Sequence, residues 1–163
     1  DMFMWHPEEP VEAAALQFLN VLFAVPQLSV KLTQYPAAHQ AMVETWTRYW
    51  KENRETLMEG EFIPSNPASV YPVLISHLDG KAIAGVYSDA VVLLPNQRYD
   101  AVDLINAKAS RTLIVDLIQP MGGVEVSVFV VEGTVTDQHR RTLGGNIHKF
   151  DAPPSGRIEI RKR

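Results

Sequence analysis

The residues best placed to do chemistry stand together in the run Asp1-Met2-Phe3-Met4-Trp5-His6-Pro7, where a carboxylate leads an apolar, aromatic stretch that stops at a proline. A carboxylate and an aromatic ring at a strand end, where loops open, are the groups with which carbohydrate sites hold hydroxyls and stack on sugar faces. On spacing alone, Phe3 and Trp5 belong in a core and Asp1 is a free end. Other arrangements offer less. His6, His39, His77, His139 and His148 show no i, i+4 pair and no HExxH pattern, so their spacing builds no metal site. Gly122-Gly123 and Gly144-Gly145 lie between strand-like runs with no helix behind them, which makes them turns rather than phosphate-binding loops. No serine occupies a G-x-S-x-G elbow. The adjacent Glu8 and Glu9 suit the positive end of a helix dipole and point in different directions. Trp46 and Trp50 have the i, i+4 spacing of a stacking platform, but large aromatics so placed are read as core. These residues supply no complete active site, and no cofactor is expected.

Composition narrows the partners. The 163 residues carry 15 Lys and Arg against 19 Asp and Glu, a net charge of −4, which gives no electrostatic basis for nucleic-acid binding or an anionic membrane. The one basic run, Arg161-Lys162-Arg163, has no interleaved aromatics and reads as a solvated chain end. The absence of cysteine excludes disulfide scaffolds, zinc ribbons and thiol chemistry; it leaves the compartment open, with a lean toward the cytosol. No apolar run has the length of a membrane span, and no charged segment followed by a short apolar one resembles a signal peptide. A chain that opens with Asp inside a strand-like run is expected to be a piece of a longer protein.

The elements that must position these residues fall into two parts. Pro10 suits a helix first turn, and the apolar residues that follow predict a helix over 10–24 packed on more than one side. Leu28, Val30 and Leu32 alternate with Ser29 and Lys31, predicting a strand over 25–32. Pro36 opens a second, amphipathic helix to about residue 58, with Gly60 as a left-handed stop. Beyond Glu61 a proline-rich connection leads to short strands near 71–78, 81–88, 90–94, 102–107, 112–118, 124–131, 147–150 and 157–161. Asp79-Gly80 between the first two is a hairpin signal, because both central positions of a type I′ turn need positive φ. Gly122-Gly123 is read as a second hairpin turn, residues 134–142 as polar and weakly periodic, and Pro153-Pro154-Ser155-Gly156 as a final turn. Short strands with no helix between them predict an antiparallel β-sandwich within an α+β chain.

The run from Asp1 to Gln17, then Asn20 to Val30, resembles the late barrel of the α-galactosidases of glycoside hydrolase family 36 and their clan relatives. Trp50-Lys51-Glu52-Asn53-Arg54 with Gly60 looks like the end of the last barrel helix. Tyr71-Pro72, Gly85-Val86-Tyr87-Ser88-Asp89 and Asp103-Leu104-Ile105-Asn106-Ala107 resemble strands of the C-terminal sandwich, and Pro153-Pro154-Ser155-Gly156 with Ile158-Glu159-Ile160 resembles its closing hairpin. The resemblance implies that residues 1–60 are the last βα units of a (β/α)₈ barrel and residues 61–163 a C-terminal antiparallel sandwich. It implies a parent that hydrolyses α-galactosides with retention, through a nucleophilic and an acid/base aspartate that match no position here. Asp1 matches the substrate-pocket aspartate, Met2 its neighbour, and Trp5 the mouth. The chain alone is then expected to be inactive, to meet an α-galactoside-type carbohydrate only within its parent, and to associate with a second copy or with the rest of the barrel. The alternative is a non-catalytic sandwich module that binds carbohydrate or protein. The polar 134–142 segment departs from the family's glycine-containing hairpin.

Overall fold

Residues 81–86 and 101–106 are apolar at most positions, so a sheet that contains them needs cover on both faces. A computed structural model of residues 1–163 shows that cover. In chain order the elements are β1 (Met2–Phe3), α1 (Val11–Leu19), β2 (Gln27–Leu28), α2 (Ala37–Glu52), α3 (Arg54–Glu59), β3 (Glu61–Pro64), β4 (Val73–Leu78), β5 (Lys81–Val86), β6 (Val91–Leu93), β7 (Ala101–Asn106), β8 (Thr112–Asp116), β9 (Gly122–Phe129), β10 (Val135–Leu143), β11 (Ile147–Asp151) and β12 (Arg157–Lys162), with short 3₁₀ turns at Leu32–Gln34 and Pro67–Ser69. A seven-stranded sheet, ordered β10-β9-β12-β7-β5-β4-β3, packs on a three-stranded sheet ordered β11-β8-β6. The fold is therefore mixed α+β, mostly sheet, with a β-sandwich at its centre.

Alternation along the strands sets the two cores. Ala82, Ala84, Val102, Leu104, Ile158 and Ile160 face the small sheet, where Val92, Leu113, Val115 and Phe150 meet them. Ile83, Ile105 and Ala107 join a second cluster with Ala15, Phe18, Leu19, Met42 and Trp46 of the helices. Residue 60 thus separates layers but not cores, because the outer face of the large sheet completes the helical cluster.

Several expectations are corrected. The sandwich is not wholly antiparallel: β5 pairs parallel to β7, and β6 parallel to β8. After β5 the chain passes to β6 in the other sheet and returns as β7 beside β5, and such a crossover, unlike a hairpin, makes parallel neighbours. The strand expected over 25–32 shrinks to β2, because its only partner is the equally short β1. Val30 and Leu32 instead pack against the helical cluster, which explains their alternation without a ladder. The first helix stops at Leu19 and continues as turns. The second is interrupted at Asn53 (φ −110°, ψ 9°), whose side-chain amide donates to the Tyr49 carbonyl at 2.8 Å and competes with the helical pattern.

Glycine plays other parts than expected. Gly60 is extended (φ −68°, ψ 162°), not left-handed. It is required by close approach, since a Cβ there would stand 2.4 Å from the Thr56 carbonyl oxygen. Gly122 and Gly123 begin β9, opposite Leu143 and Thr142, and the β9–β10 turn lies instead around Gly133 (φ 87°). The Asp79-Gly80 turn has the expected positive φ values, 46° and 78°. Residues 135–143 form a full strand whose polarity follows from its place at the sheet edge, and 61–64, expected as connection, form the opposite edge strand ending on Pro64.

Candidate functional site

The run that opens the chain is fixed by β1. Gln27 N–H donates to the Asp1 carbonyl at 2.8 Å and Ser29 N–H to the Phe3 carbonyl at 3.1 Å, so residues 1–3 lie parallel to 27–29. Side chains alternate across this pair. Phe3 turns inward, edge-on to Phe18 with ring centroids 5.1 Å apart. Met2, 65% exposed, and Met4 lie on the open side, whereas Leu28, paired with Phe3, shares its face. Asp1 is exposed, and its amino group donates to the Val25 carbonyl at 2.6 Å. Trp5 is only 6% exposed, and its Nε1–H donates to His39 Nδ1 at 2.7 Å. His39, also buried, is thereby held as an acceptor at Nδ1, while the Tyr35 hydroxyl donates to the Trp5 carbonyl at 2.6 Å. Trp5 thus acts on any pocket through the strand it anchors. Asp1 and Met2 remain on the surface, and a cavity of about 160 Å³ bounded by Phe3, Phe18, Pro26, Leu28 and Trp50 opens beside the strand pair. Trp46 is fully buried and Trp50 is tied by its Nε1–H to the Ala24 carbonyl at 2.9 Å, so these two form no stacking platform.

A second constellation lies between α2 and the large sheet. On β12, Arg157, Glu159 and Arg161 alternate with Ile158 and Ile160, which places the three charges on the helix side. Asp103 of β7, with 0% exposure, is in register with Glu159. Two carboxylates directly opposite each other repel, and Arg161 resolves this by donating through Nη1 to Asp103 and through Nη2 to Glu159, the latter at 3.2 Å. Tyr49 of α2 donates its hydroxyl to Asp103 Oδ2 at 2.7 Å, and Lys81 Nζ lies 3.8 Å from the same oxygen while donating to Asn53. Arg161 therefore belongs to a partly buried network and not to a solvated tail, which corrects the reading of the terminal basic run. This carboxylate pair is clamped and unreachable by water at Asp103, so it is no hydrolytic pair. Sequence reading passed over the network. The signal was present as a lone Asp in the apolar run 101–107 and as the Arg-Ile-Glu-Ile-Arg alternation.

Burial first, then the charge of Asp103 and the hydrogen bond to it, push the Tyr49 hydroxyl well above its ordinary value of 10.0. Burial does the same to Tyr87, whose hydroxyl donates to the Leu19 carbonyl at 2.7 Å. A folded-state value above the unfolded one leaves stability complete below the unfolded value, and removes it as the unfolded tyrosines ionise first. Urea stability is expected to hold up to about pH 10 and then to fall, by at most about 1.4 kcal/mol per pH unit for each tyrosine. Tyr49→Phe should flatten that decline. An alkaline limb unchanged in the variant would show that Tyr49 is not responsible.

No helix is long and apolar enough to cross a membrane. No protein-family model, no curated protein and no solved structure matches the chain.

Proposed function

We propose that the chain is the C-terminal part of a retaining α-galactosidase-like glycoside hydrolase, in which residues 1–60 close a (β/α)₈ barrel and the sandwich buttresses it. The observation that carries this reading is the parallel pairing of β1 with β2 across the α1 crossover. Strand, helix and parallel strand form the unit from which such barrels are built. Two strands of two residues each are too short to stand alone, and a barrel would extend the open side of this pair. Met2, Met4 and Val25 are exposed, as barrel-facing residues would be without their neighbours. In the parent, Asp1 and Met2 form part of the sugar-pocket wall, Trp5 holds them from beneath, and the catalytic aspartates come from earlier strands. The open apolar side makes association with those strands, or with a second copy, the expected behaviour of the isolated chain.

The polypeptide alone is expected to hydrolyse an aryl α-galactoside no faster than buffer, because retention needs two carboxylates about 5 Å apart and in reach of solvent. Joined to its preceding barrel segment it is expected to be active. Asp1→Ala should then lower kcat/KM by roughly tenfold to a hundredfold, the worth of one charge-assisted hydrogen bond. Turnover by the isolated chain, or a parent lacking two aspartates at barrel-strand ends, sinks the proposal. A binding module is the second reading, favoured by a polar groove of about 370 Å³ where the open sides of the two sheets meet. There Arg111 holds Asp151 through two nitrogens, and Arg141 lies 4.9 Å over the Phe150 ring.

A further inference from the structure

Arg157 is the one member of the helix-facing charges that the network leaves half used. It is 9% exposed, and its guanidinium stacks 3.9 Å over the Phe129 ring, with the Tyr49 and Trp46 rings at 5.1 and 5.9 Å. Nε–H donates to Glu159 Oε1 at 2.8 Å, but the buried Nη1 has no acceptor. Neither neighbouring hydroxyl accepts from it: Tyr49 is turned to donate to Asp103, and Thr45 to donate to the Glu132 carbonyl at 2.7 Å. A buried guanidinium edge without acceptors is costly, and a compact oxyanion is the acceptor that also answers its charge.

The space for one is present. A cavity of about 260 Å³, lined by Thr45, Arg48, Tyr49, Glu52, Gly133 and Arg157, opens between α2 and the β9–β10 turn. That volume equals roughly eight or nine waters at about 30 Å³ each. Gly133 lets the turn close on α2, since a Cβ there would stand 2.8 Å from the Thr45 side chain. Arg48, exposed on α2, adds a second guanidinium at the rim, beside the exposed carboxylate of Glu52. A planar carboxylate can spend both oxygens on one arginine fork; a tetrahedral phosphate has oxygens left for a second arginine from another direction. Glu52 repels a free dianion but accepts a hydroxyl, which suits a phosphate ester of a polyol.

We propose that this cavity binds a phosphate group, held from within by the Nη edge of Arg157 and from the rim by Arg48. The proposal is independent of any glycosidase activity. It is tested by calorimetric titration of the full chain with inorganic phosphate, with glucose 6-phosphate, and with acetate at matched ionic strength. Saturable binding of either phosphate without binding of acetate is expected. Binding of the inorganic ion assigns the site to free phosphate, and binding of the sugar phosphate alone assigns it to an ester; both support the site. Arg48→Ala, on an exposed helix position, should weaken binding at least about tenfold, as should Arg157→Lys, which keeps the charge and loses the fork. If Arg157→Lys does not fold, Arg48→Ala decides. Binding of neither phosphate at millimolar concentration, equal binding of acetate, or unchanged affinity in Arg48→Ala overturns the proposal.

Discussion

Replacing Asp103 by Ala is expected to cost about 4 kcal/mol of folding stability, the range found when one partner of a buried ionic cluster is removed. The reason lies in what is left behind. Without the carboxylate, the Tyr49 hydroxyl loses its acceptor inside the helix–sheet interface, and Lys81 and Arg161 lose their nearest buried counter-charge. Arg161 is partly exposed and recovers some hydration, which keeps the loss from growing further. Asp103→Asn keeps the shape and one acceptor and should cost less than Ala. Urea unfolding of both variants measures this. An Asp103→Ala protein within 1 kcal/mol of the parent, on the order of an exposed pair, would show that the network contributes nothing net. The exposed Arg111–Asp151 pair provides the contrast, and its removal is expected to leave the midpoint almost unmoved.

Trp46→Ala is expected to destabilise by a similar amount, about 4 kcal/mol, through lost transfer free energy and the cavity left behind. Trp46 is fully buried and packs edge-on to Tyr49 with centroids 5.5 Å apart. Its indole N–H, however, is buried without an acceptor. Trp46→Phe removes that orphan donor together with part of the ring, so the lost packing is offset by relief of an unpaired polar group. It should cost less than half as much as Ala in the same denaturation series. Equal losses in the two variants would mean that the indole N–H carries no penalty. Either substitution also changes one wall of the arginine's aromatic surround, and Trp46→Phe should leave phosphate affinity within a few-fold of the parent, because no indole atom donates to the bound group.

Much of the sandwich was legible because its signals are local. Asp79-Gly80 needs only its own backbone to make a turn, and the apolar run over 101–106 and the alternation along 157–162 mark strands whichever partners they find. The misreadings arise where the deciding contact is distant. Asn53 is compatible with a helix until its side chain turns back on Tyr49 while Lys81, 28 residues on, takes its other end. Residues 135–143 hide their strand because an exposed edge needs no apolar alternation. The parallel pairs depend on a crossing between sheets that no short window contains. For the site, sequence drew attention to Asp1, Met2 and Trp5, and geometry divides them into two surface residues and one anchor. The charges on β12 were visible as a stripe, but their meaning required α2 to lie over them, which only the tertiary arrangement supplies.

The two ends of the large sheet are the places where another strand could be added to it. At one end β10 presents Asp137, His139, Arg140 and Arg141, and at the other β3 closes on a proline, which has no N–H to offer an incoming strand. Charge at one margin and proline at the other both disfavour the addition of a further strand to this sheet.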